Sequence, residues 1–303
     1  MNNPEAHSLK QTHIVRLSGG IGNQMFQYAF GERLRHDTGA QVIYFPRVAH
    51  MNFRLHQFTG VENLYLGWWH PEILFRYVLP KVSNNYFGRI KKVLPRPMDI
   101  LSDDGSYAFE QEMLRPSRSS LYSGYWQNYN YLQPIEKHLR KQFVFSNKVI
   151  DKYKKFDSYF ATTNTVSLHV RRGDYVRSKD IDSCNQAYYR RAMSMMADPI
   201  DRPTFVVFSD EPAWAKRAFE ERSDVIIAND TFQPASDMDD LYVMSRCKHH
   251  IIANSTFSWW GAWLNQNPGK LVIAPTPWWE TADQTAEKIL PPEWLKIDKM
   301  PQN

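Results

Sequence analysis

The chain has 303 residues, 43% of them apolar and 23% charged, with a net charge of +5. That balance excludes an intrinsically disordered chain, and the positive charge suits a polyanionic ligand, an anionic membrane surface or simple solubility. Two cysteines without paired spacing, Cys184 and Cys247, exclude a disulfide framework and a cysteine-based zinc site, and they fit a reducing compartment.

Ten Trp, 16 Tyr and 17 Phe make the chain rich in rings, which suits a core and also a sugar-binding cleft. The opening residues Met1 to Glu5 show no cationic segment leading into an apolar one. No run approaches the roughly 18 apolar residues of a membrane span. The expectation is a cytoplasmic protein, soluble or peripheral on the inner face of a membrane. Its length favours two domains.

In chain order, residues 14–18 predict a strand. Gly19, Gly20 and Gly22 form a tight loop, and Met25, Tyr28, Ala29 and Phe30 give helical spacing over 24–37. Gly39 suits the position just past that helix, and Gln41–Phe45 reads as the next strand, completing a βαβ unit. From 46 to about 155 the pattern is less regular. It holds Trp68-Trp69, a basic stretch (Lys81, Arg89, Lys91, Lys92, Arg96) and an aromatic patch from Tyr122 to Tyr131.

The second half is cleaner. Strands are predicted up to Val170 and over Thr204–Phe208, Val225–Ala228, Ile251–Ala253 and Leu271–Ala274. Helices are predicted near 185–197, 212–222, 238–246 and 256–265. Strands alternating with helices imply a parallel, doubly wound sheet. The architecture is therefore α/β, with a Rossmann-like half over 1–155 and another over 156–303, and a C-terminal tail that can pack back on the first half.

Three segments carry candidate chemistry. In Thr165 to Asp174, alternation places Val166, Leu168 and Val170 on one face and Ser167, His169 and Arg171 on the other. Arg171 and Arg172 then stand where a strand meets a loop, the usual ligand end of an α/β sheet, although a solvated Arg pair bonded to Asp174 would also fit. Gly20 and Gly22 with Asn23 and Gln24 offer close backbone approach, a helix N-terminus and two amides; Met25 replaces the third glycine of a dinucleotide fingerprint. Ser255 and Thr256 open a helix after a strand, suiting an anion or an ordinary cap. Asp240 could accept from guanine or be a solvated charge at a helix start.

Together these segments resemble the α-1,2-fucosyltransferases of glycosyltransferase family 11, bacterial type. The resemblance rests on Leu17-Ser-Gly-Gly-Ile-Gly-Asn-Gln-Met-Phe-Gln-Tyr-Ala-Phe-Gly31, His169-Val-Arg-Arg-Gly-Asp-Tyr175, Phe208-Ser-Asp-Glu-Pro212 and Asn254-Ser-Thr-Phe-Ser-Trp-Trp-Gly261. It implies a GT-B arrangement of two Rossmann-like domains facing across a cleft. It also implies metal-independent, inverting transfer of L-fucose from GDP-fucose to O2 of a terminal galactose, with no cofactor. In that frame Arg171 and Asn23 are the catalytic candidates. Gly22, Gln24, His169, Arg172, Asp174, Asp240, Ser255, Thr256 and Phe257 would hold the donor, Arg172 and Asp174 by bracing the loop. Tyr125, Trp126, Gln127 and Asn128 are candidates for the acceptor, an oligosaccharide that can be lipid-linked. The basic stretch at 81–96 would then touch an anionic leaflet, unless it is an exposed loop.

Asp237-Met238-Asp239 spells the Asp-x-Asp pattern of metal-dependent transferases, yet it stands at a helix start, where acidic residues are favoured for dipole reasons. Scattered Lys and Arg with no recognised motif speak against a nucleic-acid partner. A non-catalytic carbohydrate-binding protein and an NAD-type oxidoreductase are the competing readings.

Overall fold

The computed structural model describes residues 11–46, 53–64, 99–103, 109–173, 183–279 and 288–300. Asp174, Trp68-Trp69 and the basic stretch at 81–96 lie outside the described residues. The first half builds β1 (Thr12–Leu17), α1 (Ile21–Thr38), β2 (Gln41–Pro46), β3 (Asp99–Ser102) and β4 (Ser120–Ser123). They form a four-stranded sheet in the order β2-β1-β4-β3, parallel throughout. Val15 and Leu17 point inward from β1 while Ile14 and Arg16 are half-buried. Gly39 ends α1 as expected: its φ of 66° lets its N–H return to the Arg35 carbonyl at 2.9 Å.

Short helices follow at α2 (Tyr129–Leu132), α3 (Glu136–Gln142), α4 (Asn147–Tyr153) and α5 (Asp157–Thr162). The second half comprises β5 (Thr165–Val170), α6 (Gln186–Ala197), β6 (Thr204–Ser209), α7 (Pro212–Ala218) and β7 (Val225–Ile227). It continues through α8 (Ala228–Thr231), α9 (Asp237–Arg246), β8 (His249–Ile251), α10 (Thr256–Leu264), β9 (Val272–Thr276) and β10 (Leu295–Asp298). These strands form a parallel six-stranded sheet in the order β10-β9-β8-β5-β6-β7.

β5 lies inside that sheet, and all six of its residues are buried. Val166, Leu168 and Val170 pack with Tyr188, Tyr189 and Met193. Ser167 instead meets His250 Nδ1 at 2.7 Å, and His250 Nε2 lies 2.7 Å from the Asn265 amide nitrogen. That polar chain explains why β8 begins two residues before the predicted Ile251. A histidine with both nitrogens satisfied can enter a core strand.

The two halves share a core. Phe26 of α1 lies 4.7 Å from Trp259 and 5.1 Å from Trp260 of α10, ring centre to ring centre. The C-terminal tail, expected to pack back on the first half, adds β10 to the second sheet, and Trp294 rests on Trp259 at 5.4 Å. No helix among the described residues is long and apolar enough to cross a membrane.

Candidate active site

In each parallel sheet the loops that can carry chemistry leave the carboxyl ends of the strands. The carboxyl ends of β1 and β8 meet at the helices that follow them. A Cβ on Gly22 would lie 2.6 Å from the Thr256 backbone carbon and 2.7 Å from the Phe257 nitrogen. Only glycine admits that approach, so Gly22 brings two helix N-termini together. Trp260 Nε1 donates to the Gly22 carbonyl at 2.9 Å and locks the crossing.

Asn23 joins the halves by side chain. Its Oδ1 accepts from Thr256 Oγ1 at 2.8 Å and from Gln127 Nε2 at 2.9 Å. Two donors on one amide oxygen leave Nδ2, beside Gly19, as the end that can serve a ligand. Ser255 caps α10 by position alone: its side chain makes no cap hydrogen bond to the first-turn amides. Those N–H groups and the helix dipole suit an anion. The Thr256 hydroxyl proton is committed to Asn23, so its backbone N–H is the group that can meet one. Gln24 braces the loop, with Nε2 donating to the Gly19 carbonyl at 2.9 Å and Oε1 accepting from Arg54 N at 3.2 Å.

His169 lies one residue from the carboxyl end of β5, on the face toward α10, 5.6 Å from the Phe257 ring. Burial, reinforced by the Arg171 charge, pushes its pKa down to about 3. It is therefore neutral at working pH and stands as a hydrogen-bonding group. Its buried Nδ1 has no partner among the described residues.

Arg171 Nη1 is paired with Asp210 Oδ2 at 3.0 Å. The other Asp210 oxygen accepts from Arg172 N at 3.0 Å, and a Cβ on Gly173 would lie 2.8 Å from Oδ2. One carboxylate thus shapes the whole Arg-Arg-Gly turn. Arg172 is held separately, by Glu211 Oε2 at 3.2 Å and by the Trp214 ring at 4.2 Å. In the sequence, Asp210 and Glu211 stand within the Phe208-Ser-Asp-Glu-Pro212 segment of the family resemblance, with no role of their own. Their role follows from β6 pairing with β5, which sets the two loops side by side.

Asp237 and Asp239 each have their own cation. Arg54 Nε donates to Asp237 Oδ1 at 2.9 Å, and Lys152 Nζ to Asp239 Oδ2 at 2.7 Å. Asp240, one residue on and half-buried, is different. Burial first, then the neighbouring Asp239 and Asp237 charges, push its pKa up to about 7. Of the acceptor candidates, Trp126 is turned inward and stacked on Phe30 at 4.2 Å. Asn128 is buried as the cap of α2, accepting from Asn130 N at 2.9 Å. Gln127 reaches Asn23, and Tyr125 faces solvent.

The family model for glycosyl transferase family 11 matches residues 105–298, which include the Arg-Arg-Gly turn and the α10 N-terminus. This chain belongs to that family. An alpha-1,2-colitosyltransferase of Escherichia coli is 30% identical to it, over 94% of this chain and 99% of the relative. Galactoside 2-alpha-L-fucosyltransferase Sec1 of Mus musculus is 26% identical, over 82% of this chain and 63% of the relative. In fold, this family 11 protein resembles NodZ alpha-1,6-fucosyltransferase, solved with GDP, at a TM-score of 0.52 and 13% identity over 83% of this chain and 91% of NodZ. The family 11 chain thus has the GT-B fold expected from its motifs, with two parallel α/β sheets and a shared seam.

Proposed function

We propose that this chain is an inverting α-1,2-fucosyltransferase that moves L-fucose from GDP-β-L-fucose to O2 of a terminal galactose, with no metal ion. The observation that carries the reading is the Arg171 guanidinium, fixed by Asp210 at the end of β5. On the same seam, α10 opens with a first turn that the Ser255 side chain does not cap. Cleaving the fucosyl–phosphate bond moves negative charge onto GDP while the sugar becomes cationic. A guanidinium and a helix N-terminus already in place stabilise that charge without reorganising, and one such donor is worth about 3 kcal/mol of barrier. Arg171 takes the departing phosphate, with the α10 amides beside it. Asn23 Nδ2 positions the sugar or the acceptor, and neutral His169 with Phe257 borders the nucleotide. Asp240 reads guanine, whose ring N–H and exocyclic amine are both donors. The name of the mouse relative supports fucose and its attachment at O2 of a galactoside, and NodZ, solved with GDP, supports the nucleotide alone.

The deciding experiment incubates the protein with GDP-fucose and a panel of β1,3- and β1,4-galactosides in excess chelator, followed by linkage analysis. The expected product carries fucose on O2 of galactose. Loss of activity in chelator would overturn the metal-free mechanism, and a failure to release GDP with every galactoside would return the protein to a binding role. GDP-colitose, which lacks the fucose 3-hydroxyl, forms a parallel arm; faster turnover of that donor would reassign the sugar. Supplying the galactoside on a lipid carrier in anionic vesicles tests the membrane contact.

Asp240 gives a pH prediction. Guanine's donors favour the carboxylate, so binding must lower a pKa that stands near 7 in the free protein. GDP affinity should therefore weaken as pH falls below about 7, toward tenfold per unit, and level off above it. Binding at neutral pH should release protons, seen as heats that depend on buffer ionisation. In Asp240→Asn the slope should vanish; a wild-type affinity that is flat between about pH 5.5 and 8 contradicts the assignment.

A further inference from the structure

A second built feature stands on the same rim, the turn that leaves β4. Gln27 Nε2 donates to the Gly124 carbonyl at 2.8 Å and to the Ser18 hydroxyl at 3.0 Å, tying this turn to the end of β1. Asp103, just past β3, closes it. Its Oδ2 accepts from Tyr125 N at 3.1 Å and from Trp126 N at 3.0 Å. A Cβ on Gly124 would lie 2.2 Å from the Asp103 Cβ, so the carboxylate approaches over a glycine.

Trp126 has a φ of 54°, which a bulky ring adopts only where its surroundings over-determine it. Those surroundings are Phe30, stacked on it at 4.2 Å, and the edges of Tyr122 and Tyr131. The strained geometry has two results. Gln127 is delivered to Asn23, 2.9 Å from its Oδ1. Tyr125 is turned out of the core, 44% exposed, the one ring among the exposed large apolar side chains of the described residues.

We propose that this turn is the acceptor subsite: the Tyr125 ring is a platform for the apolar face of a pyranose, and Asp103 is the positioning residue that holds it in register with Asn23. The inference rests on the transfer reading above and adds to it where the sugar acceptor sits. The ligand class follows from the chemistry of the turn. Asp103 Oδ2 is turned onto two backbone donors, and Tyr125 offers an aromatic face on the rim that carries the neutral Asn23 amide, which matches a neutral, hydroxylated ring.

The test measures galactoside KM, GDP-fucose KM and GDP affinity in Tyr125→Ala, Tyr125→Phe, Asp103→Ala and Asp103→Asn. Tyr125→Ala should raise galactoside KM about tenfold, the scale of one aromatic contact, while Tyr125→Phe stays near wild type. Asp103→Ala should raise galactoside KM and lower kcat, and Asp103→Asn should recover most of both, because its amide oxygen still accepts two N–H groups. Calorimetric GDP affinity should stay within about twofold in all four. Unchanged galactoside KM in both alanine variants, or a GDP affinity that falls in step with it, overturns the proposal. Saturation-transfer NMR of the galactoside on GDP-loaded protein separates the two readings. A signal lost in Tyr125→Ala supports the platform whether or not fucose moves, and a signal that survives, or none in the wild type, overturns it.

Discussion

Arg171→Lys should cut turnover with GDP-fucose by about 100- to 1000-fold while leaving the protein folded. The guanidinium is planar and offers several donors in a fixed fork, so it can keep its 3.0 Å contact to Asp210 and still present N–H groups to a phosphate. A lysine ammonium is a point charge on a flexible stem; pairing with Asp210 draws it from the departing oxygen. The site is also only partly exposed, so the lost interaction is not replaced cheaply by water. Thermal unfolding should move by no more than a few degrees, since a half-exposed ion pair contributes little to stability. Near-normal turnover in this variant would remove Arg171 from the reaction. Asp210→Ala should fail in the same direction, because the whole turn through Gly173 is built on that carboxylate.

The second large effect is expected at Gly22. Gly22→Ala places a methyl 2.6 Å from the Thr256 backbone carbon, and a helix backbone cannot rotate away as a side chain can. The N-termini of α1 and α10 must separate, breaking the Trp260 bond to the Gly22 carbonyl and the Thr256 bond to Asn23. Overpacking plus two lost hydrogen bonds sums to about 2–6 kcal/mol. The melting temperature should fall by several degrees, and kcat/KM by at least tenfold, because the anion-facing turn of α10 moves with its partner. Gly20→Ala is the control. Gly20 has a φ of −70°, and a methyl placed there would meet nothing within 4 Å, so stability should change by less than about 1 kcal/mol. Equal behaviour of the two variants would show that close helix approach is not what position 22 requires.

The strands of the second half are legible in the sequence because β-branched runs such as Thr165–Val170 and Thr204–Ser209 are long enough for alternation and burial to leave a pattern. Gly39 is legible because a helix end needs a residue that tolerates positive φ. β3 and β4, four residues each, are too short for periodicity to register, and β10 shows a single alternation. The site is legible where its chemistry is local, as in the Arg pair and the glycine turn. It is not legible where the partner lies far away in sequence. Nothing near Asn23 announces that its oxygen serves Gln127 and Thr256, and nothing near Arg171 announces Asp210: sheet order decides the Gln127 and Asp210 contacts, and the packing of α1 on α10 decides Thr256. The aromatic patch shows the same limit. Composition alone cannot say that Trp126 fills the core and Asn128 caps a helix while Tyr125, between β4 and Trp126, faces out.

The most direct measurement is a crystal structure of the protein with GDP. The β-phosphate should lie within hydrogen-bonding distance of the Arg171 guanidinium and of the first-turn amides of α10, with guanine against Asp240. A nucleotide bound elsewhere, or a diphosphate that touches neither Arg171 nor α10, would contradict the assignment of this seam as the donor site.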